Sequence, residues 1–148
     1  MRARIGAFVA ACLMVLLPTA TAAQAAERAV AAPVAYACDI DYLTDPGGTQ
    51  FGVRIGIDNP SNDYTINGWT LRFTLPAGQT ALPASAYNVR ITQVGQEVTG
   101  TDVGWNAQLL PLNTLWVGFQ VVGPDYRVKP TAFWVNGNVC SVGLWTRA

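Results

Sequence analysis

The sequence has 148 residues, of which 51% are hydrophobic and 12% are charged, with nine basic residues, nine acidic residues and no histidine. This length and apolar content suffice for one domain with a sizeable core. The balanced charge excludes the basic stripe of a nucleic-acid-binding protein and the polybasic segment of a membrane anchor.

The first 26 residues have the pattern of a secretory signal peptide. Arg2 and Arg4 form a positive start, residues 5–17 are apolar, and A-x-A cleavage patterns follow at 20–22 and 23–25. Pro18 interrupts the apolar run before it reaches the roughly 18 residues of a transmembrane helix, which disfavours a retained membrane span. We therefore expect residues 1–26 to be cleaved and the mature protein to be secreted and extracellular, with a net charge of about minus two.

Two cysteines, Cys38 and Cys140, remain after this cleavage. An even pair in an exported protein is most simply a disulfide, although two free thiols are an alternative. A zinc site is excluded because histidine is absent and cysteines are too few. Calcium bound by Asp39 and Asp41 is an alternative, but two alternating acids on one strand face are more often solvated, so we expect no metal and no cofactor. Residues 27–37 are a short Ala- and Pro-rich segment, residues 38–140 form one predicted domain, and residues 141–148 are a C-terminal tail.

Short runs of alternating apolar and polar residues, separated by turn residues, predict strands throughout the domain. In chain order the clearest runs are 38–43, 51–58, 69–75, a weaker hairpin around 95–96, 115–122 and 131–136. No long helical period appears. Seven to nine strands with turns at roughly ten-residue intervals predict an all-β fold, namely a two-sheet antiparallel β-sandwich of immunoglobulin-like or jelly-roll-like type.

The usual catalytic groups are missing. A hydrolase positions an acid and a base, and the mature chain offers only carboxylates, most of them beside Pro, Gly or Asn in turns. A serine nucleophile would lack its histidine base, and no Gly-x-Ser-x-Gly motif occurs. Because a carboxylate pair alone can hydrolyse glycosides, a glycoside hydrolase remains as a third and least favoured alternative. We predict no catalytic residues and no enzymatic activity.

Five tryptophans and five tyrosines are many for a chain with so few charges. Alternation places Trp69 in the core, whereas Trp116 and Trp134 are out of phase with their apolar neighbours and should point outward. If the last two long strands form a hairpin near residue 125, Trp134 lies roughly opposite Trp116. Exposed rings indicate a contact surface, which suits either a polysaccharide, whose C–H faces stack on aromatic rings, or a protein partner.

Six segments carry a resemblance to a known family. They are 66–71 (INGWTL), 75–79 (LPAGQ), 91–95 (ITQVG), 103–106 (VGWN), 118–119 (GF) and 130–140 (from PTAF to the last cysteine). From Cys38 to Cys140 the chain resembles the family 2 carbohydrate-binding modules, the bacterial cellulose-binding type attached to many secreted glycanases. The resemblance implies a nine-stranded sandwich with a terminal disulfide.

The resemblance also implies a carbohydrate-binding face. Cellulose-binding members carry three exposed aromatic residues in a line; the first position falls at Gly47, where the ring is absent, the second matches Tyr87, and the third matches Trp105. Trp116 would add a stacking surface to the same face. Polar positions of the family, where an amide is typical, fall at Asp45, Arg54, Ser85 and Trp116.

Two functions from different classes follow. The first is a secreted, non-catalytic module that docks on an insoluble β-glycan, with cellulose favoured and chitin as the related choice. Xylan is disfavoured because xylan-binding members are shortened around the middle ring, whereas residues 82–89 are retained here. The second is a secreted protein-interaction or scaffold domain that has kept the fold and lost sugar binding, using Trp116, Trp134 and Trp145 against a protein partner. Neither function involves nucleic acid or, after signal removal, a membrane.

Overall fold

The computed structural model describes residues 37–146, with side chains up to residue 143. The predicted signal peptide and residues 27–36 lie outside the described residues. Within the described part of the chain all regular structure is β-strand, and nine of the twelve strands have three or more residues. The described residues contain no helix that is long and apolar enough to cross a membrane. The all-β prediction is confirmed.

The strands are short, and each is bounded by turn residues. They are β1 (Asp39–Thr44), β2 (Gln50–Asp58), β3 (Ile66–Asn67), β4 (Thr70–Thr74), β5 (Thr80–Tyr87), β6 (Arg90–Val94), β7 (Glu97–Thr101), β8 (Gln108–Leu109), β9 (Thr114–Val122), β10 (Phe133–Val135), β11 (Asn138–Val139) and β12 (Ser141–Thr146).

Two five-stranded sheets contain most of these strands. Sheet I has the order β12-β1-β2-β9-β5, and sheet II has the order β11-β10-β4-β7-β6, while β3 and β8 form a separate pair. Among residues 37–146 every strand pair is antiparallel except β1 with β12, which is parallel. The two sheets bury their inner faces, as a β-sandwich requires.

The core follows the alternation of the sequence. The predicted inner residues of β2, β4 and β9 are buried, and Trp69 is 1% exposed, as predicted. Phe73 lies at the centre, with ring centroids 5.2 Å from Phe133 and 6.2 Å from Phe119. Apolar burial of this kind is the main force that stabilises a sandwich.

The predicted disulfide between Cys38 and Cys140 is confirmed. Cys38 immediately precedes β1 of sheet I, and Cys140 lies between β11 of sheet II and β12 of sheet I. The bond therefore fixes the two ends of the predicted domain at one place, with 102 residues of sequence separation between the cysteines.

The last two long strands do not form a hairpin near residue 125, so the condition for placing Trp134 opposite Trp116 is not met. β9 belongs to sheet I and β10 to sheet II, so residues 123–132 cross from one sheet to the other. Gln79 holds this crossover, because its Nε2 donates to the carbonyl oxygens of Asp125 at 2.9 Å and Val128 at 2.8 Å. Glycine and proline mark both hairpins and sheet crossings, so the sequence pattern does not distinguish the two.

Two long strands were not predicted. β5 shows no clean alternation because its pairing with β9 shifts in register between Leu82 and Tyr87, as at a bulge. β12 lies where a C-terminal tail was expected; its backbone pairs with β1 from Ser141 opposite Asp39 to Thr146 opposite Thr44. Sheet I therefore extends beyond Cys140.

Candidate functional site

Tyr87, the last residue of β5, lies on the outer face of sheet I. It is paired with Gly118 of β9, and a Cβ atom built on Gly118 would lie only 2.5 Å from Tyr87 Cζ. The phenol ring therefore occupies the space that a side chain at residue 118 would fill. Tyr87 is 43% exposed, so part of its ring is available to a ligand.

Trp116 lies on the same outer face, two residues before Gly118 on β9. It is paired with Gly56 of β2, and a Cβ built on Gly56 would lie 3.1 Å from Trp116 Cη2 and 3.3 Å from Cζ2. Trp116 is 41% exposed, which agrees with the outward orientation predicted from alternation. Both rings thus extend across a glycine of the next strand.

Trp105 lies in the loop between β7 and β8, and it is 73% exposed. The neighbouring Asn106 is buried and fixes this loop. Its Nδ2 donates to the carbonyl oxygen of Asn88 at 2.7 Å, its Oδ1 accepts the Val103 N–H at 2.9 Å, and its carbonyl oxygen accepts the Trp69 Nε1–H at 2.9 Å. The ring of Trp105 is therefore exposed on a loop whose backbone is held by the core.

Asn88 connects the three aromatic residues. It follows Tyr87 with a φ of 58°, a conformation that asparagine tolerates better than most residues. Its Nδ2 donates to the carbonyl oxygen of Trp116 at 3.0 Å, and its own carbonyl oxygen accepts from Asn106. Sequence reasoning did not assign a role to either asparagine; their position directly after Tyr87 and Trp105 was the available signal. We call Tyr87, Trp105 and Trp116 the aromatic face.

An ion pair borders the aromatic face. Arg54 of β2 is also paired with Gly118, so it lies in the same row of the sheet as Tyr87, and its Nη2 is 3.4 Å from Asp45 Oδ1. Burial raises the pKa of Tyr87, Arg54 lowers it in part, and Asp45 adds to the rise. The phenol group therefore stays neutral and keeps its O–H donor at neutral pH. Arg54 and Asp45, two of the polar positions implied by the resemblance, form this ion pair, and both are partly exposed.

Ser85 is engaged within the protein. Its Oγ–H donates to the carbonyl oxygen of Leu82 at 2.6 Å, and its Oγ accepts the Gln120 N–H at 2.8 Å. These bonds bridge the irregular part of the β5 pairing. Because a hydroxyl has a single donor, Ser85 can offer a sugar only its remaining acceptor capacity.

Two amides that sequence reasoning missed lie on the same outer face. Gln120 is exposed on β9 in phase with Trp116 and Gly118, and its Oε1 accepts a hydrogen bond from Gln50 Nε2 on β2. Their phase, opposite to the buried Phe51 and Phe119, was the available signal. Amide groups of this kind are suited to hydrogen-bond sugar hydroxyls.

The structure around Gly47 explains why the first aromatic position of the family has no ring here. A Cβ built on Gly47 would overlap the carbonyl oxygen of Gln50, so the 47–50 turn has no space for a side chain at that residue. Gly48 differs, because no atom lies within 4 Å of a Cβ built there. On this side the predicted site ends at the Arg54–Asp45 pair.

Trp134 does not belong to the aromatic face. It is paired with Arg72 and Val139 in sheet II, so it does not lie opposite Trp116. Trp134 is out of phase with the buried Phe133 and Val135, which places it on the outer face of sheet II, and it is partly exposed. The outer faces of a sandwich point in opposite directions, so Trp116 and Trp134 cannot form one contact surface.

The outer face of sheet I offers a platform rather than a cavity. No concave pocket is found among residues 37–146, and this part of the chain has no cluster of three His, Cys, Asp or Glu residues that could hold a metal ion. Tyr87 and Trp116 are exposed on the outer face of sheet I beside hydrogen-bonding groups, and Trp105 is exposed on a nearby loop. Exposed rings bordered by polar groups are typical of a carbohydrate-binding module.

Comparison with known proteins agrees with this class. Residues 20–140 match the family described as "Cellulose binding domain". The chain therefore belongs to family 2 of the carbohydrate-binding modules, which is a family of non-catalytic binding domains.

Relatives of two kinds are found. The chain is similar to exoglucanase B of Cellulomonas fimi, at 34% identity over 104 residues that cover 70% of this chain and 9% of the relative. It is also similar to chitinase C of Streptomyces lividans, at 30% identity over 138 residues that cover 93% of this chain and 20% of the relative. The chain thus spans only a small part of the length of these enzymes.

A solved structure shares the fold over most of its length. The chitin-binding domain of Chi18aC from Streptomyces coelicolor superposes with a TM-score of 0.56 at 26% identity, covering 70% of this chain and 94% of that domain.

Proposed function

We propose that this chain is a secreted, non-catalytic module that docks on an insoluble β-glycan through Tyr87 and Trp105, with Trp116 beside them. Cellulose is the favoured polymer and chitin the second. The observation that carries the proposal is the support of the rings: Tyr87 and Trp116 lie across glycines of the same sheet face, and Trp105 lies on a loop held by Asn106.

Preformed rings favour binding because little side-chain freedom is lost on contact. A β-linked pyranose presents a face of C–H groups that packs on an aromatic ring, while its hydroxyl groups bond to polar neighbours. Here Gln50 and Gln120 supply amides on the same face. An accessible platform without a cavity suits the side of a polymer on a solid surface better than a free chain end.

The electrostatics of the face suit an uncharged polymer. Tyr87 is neutral, and Arg54 and Asp45 compensate each other's charge at 3.4 Å. No group of the aromatic face titrates near neutral pH, since the chain has no histidine. We therefore expect polysaccharide binding to change little between about pH 6 and pH 8.

The choice between the two polymers rests on the relatives and on the missing ring. Glucanases and chitinases both occur among the relatives, so membership of the family does not select one polymer. The resemblance to cellulose-binding members favours cellulose, although the ring expected at Gly47 is absent. Binding should be weaker than that of a module that carries an aromatic residue at all three of the family's positions.

A depletion assay with the full chain tests the proposal. Wild-type protein is mixed with microcrystalline cellulose or with chitin, and unbound protein is measured alongside the double variant Tyr87→Ala/Trp105→Ala. We expect wild type to leave solution and the double variant to stay in it. Trp134→Ala is the matched control, because it removes a tryptophan from the other sheet and should bind like wild type.

Each other outcome has a defined meaning. Equal retention of wild type and the double variant would remove the proposed site. Failure of wild type to bind either polymer would overturn the proposed function, and self-association that is lost on Trp116→Ser would favour the protein-interaction domain. Release of reducing sugar by the purified chain would overturn its non-catalytic assignment.

A further inference from the structure

Strand β12 lies beyond the part of the chain that matches the family. The match ends at residue 140, whereas β12 runs from Ser141 to Thr146. It pairs with β1 over six residues and adds a fifth strand to the sheet that carries the aromatic face. This chain therefore has a wider sheet I than the family match alone accounts for.

The inner and outer positions of β12 follow from its first residues. Val142 packs against the core, and it is paired with the buried Ile40 of β1. Ser141 Oγ donates to a carboxylate oxygen of Asp39, whose side chain is exposed. Since successive residues of a strand alternate between faces, positions 141, 143 and 145 belong to the outer face of sheet I.

Position 145 falls in the row of the sheet that contains Tyr87. Reading across the strands from β5 to β12, this row is Tyr87, Gly118, Arg54, Leu43 and Trp145. Neighbouring strands lie about 4.8 Å apart, so the row extends for roughly 19 Å between its two aromatic residues. That length is sufficient to contact several sugar units of one polymer chain or of a crystalline surface.

The neighbouring row of the face contains two glycines, Gly56 and Gly143. Trp116 lies across Gly56, which is paired with Asp41, and Asp41 is paired with Gly143 of β12. A glycine therefore lies two residues before Trp145 on the same face. Close approach of a flat ligand to this part of the sheet is not blocked by a side chain at residue 143.

We propose that Trp145 is a further polysaccharide-binding residue, which contacts the same β-glycan as Tyr87 and Trp105 at the β12 edge of sheet I. The assignment rests on the proposed function. It supplies an aromatic contact from a strand outside the family match, in a chain whose 47–50 turn has no space for a side chain at Gly47.

Binding isotherms of the full chain test the assignment. Trp145→Ala should bind the preferred polymer roughly tenfold more weakly than wild type, since a large apolar contact is lost. Trp145→Phe, which keeps a ring, should stay within about threefold. Trp134→Ala again serves as the control and should match wild type. Thermal unfolding of each variant, in solution without polymer, separates loss of contact from loss of fold.

Oxidative footprinting gives a measurement on the unaltered chain. Wild type is treated with a tryptophan-oxidising reagent with and without cellulose, and each tryptophan is quantified by mass spectrometry. We expect the polymer to protect Trp105 and Trp145 and to leave Trp134 unprotected. This result does not depend on the folding of a variant.

The two proposals fail in different ways. If wild type binds, Trp105→Ala weakens binding, and Trp145 is neither protected nor needed, the assignment of Trp145 is overturned while the proposed function stands. If Trp145→Ala unfolds at a lower temperature and the polymer does not protect Trp145, its role is structural and the assignment is likewise overturned. If wild type binds no polysaccharide, both proposals are overturned.

Discussion

Tyr87 and Gly118 are paired on adjacent strands, and the tyrosine ring lies where a side chain on the glycine would be. This relationship fixes how the ring is presented, because the sheet itself supports it from below. Trp116 and Gly56 repeat the arrangement one strand further across the sheet. The aromatic face therefore depends on Gly118 and Gly56, which leave space for the rings, as well as on the rings themselves.

The first prediction concerns this support. Gly118→Ala should displace the ring of Tyr87, since the added Cβ would lie 2.5 Å from Cζ. Tyr87 is partly exposed and can swing into solvent, so we expect little loss of stability but roughly five- to tenfold weaker binding to cellulose. Depletion isotherms measure the effect. Gly48→Ala, at a residue with open space, is the control, and an unchanged affinity in Gly118→Ala would contradict the support by Gly118.

The second prediction concerns the loop that carries Trp105. Asn106→Ala removes the bonds from its side chain to the Asn88 carbonyl and from the Val103 N–H. Because two hydrogen bonds are lost, each contributing roughly 0.5 to 1.5 kcal/mol, we expect a loss of about 1 to 3 kcal/mol in the free energy of unfolding. Binding should weaken as well, although every aromatic ring is kept. Chemical denaturation and depletion isotherms measure the two effects, and Gln108→Ala, at an exposed residue near the same loop, is the control. Wild-type affinity in Asn106→Ala would show that the loop needs no such support.

The third prediction concerns Tyr42 in the core. Its hydroxyl group is buried and finds no hydrogen-bond partner among the described residues, so Tyr42→Phe should stabilise the fold by about 1 kcal/mol. Burial also raises the pKa of Tyr42 above its ordinary value of 10.0. Above about pH 10 the unfolded chain releases this proton while the folded chain keeps it, so stability should fall as pH rises.

The measurement is the free energy of unfolding of wild type and Tyr42→Phe at pH 7 and above pH 10. Below pH 10 the residue is protonated in both states and contributes no pH dependence. The advantage of Tyr42→Phe should therefore grow with pH in the alkaline range. An advantage that stays constant or shrinks would contradict the buried, unpaired state of this hydroxyl.

The fourth prediction concerns the disulfide. Cys38 and Cys140 are 102 residues apart. Closing a loop of about this length lowers the conformational entropy of the unfolded chain, which raises the free energy of unfolding by roughly 4 to 5 kcal/mol in a chain-entropy model. Cys38→Ser/Cys140→Ser should therefore unfold at a clearly lower denaturant concentration. Reduction of the wild-type bond should give a similar shift. Equal unfolding midpoints for oxidised and reduced protein would show that the bond contributes little.

The site was predicted only in part. Tyr87, Trp105 and Trp116 were identified from the resemblance and from alternation, and the structure gives each of them an exposed ring. Asn88 and Asn106 were missed because their role consists of hydrogen bonds between segments that are distant in sequence. Gln50 and Gln120 were missed because two residues on different strands become neighbours only when the strand order is known.

The fold, like the site, was predicted only in part. The inner faces of β2, β4 and β9 follow from period-two patterns, since a strand with one buried face must alternate. β5 was missed because its bulge removes that pattern, and β12 was missed because a short segment after the last cysteine gives no such signal. The strand pairs depend on contacts between distant segments, which local propensity does not encode.

The sequence by itself determined the all-β class and the disulfide. It also determined that Trp69 lies on the inner face of its strand and that Trp116 and Trp134 lie on the outer faces of theirs. Only the tertiary structure decided that Trp116 and Trp134 belong to different sheets and that Trp145 lies in the row of Tyr87. The physical reason is that alternation specifies the two sides of a strand but not its neighbours. Neighbours are chosen by packing of the whole sandwich, and that packing also lays the ring of Tyr87 across Gly118.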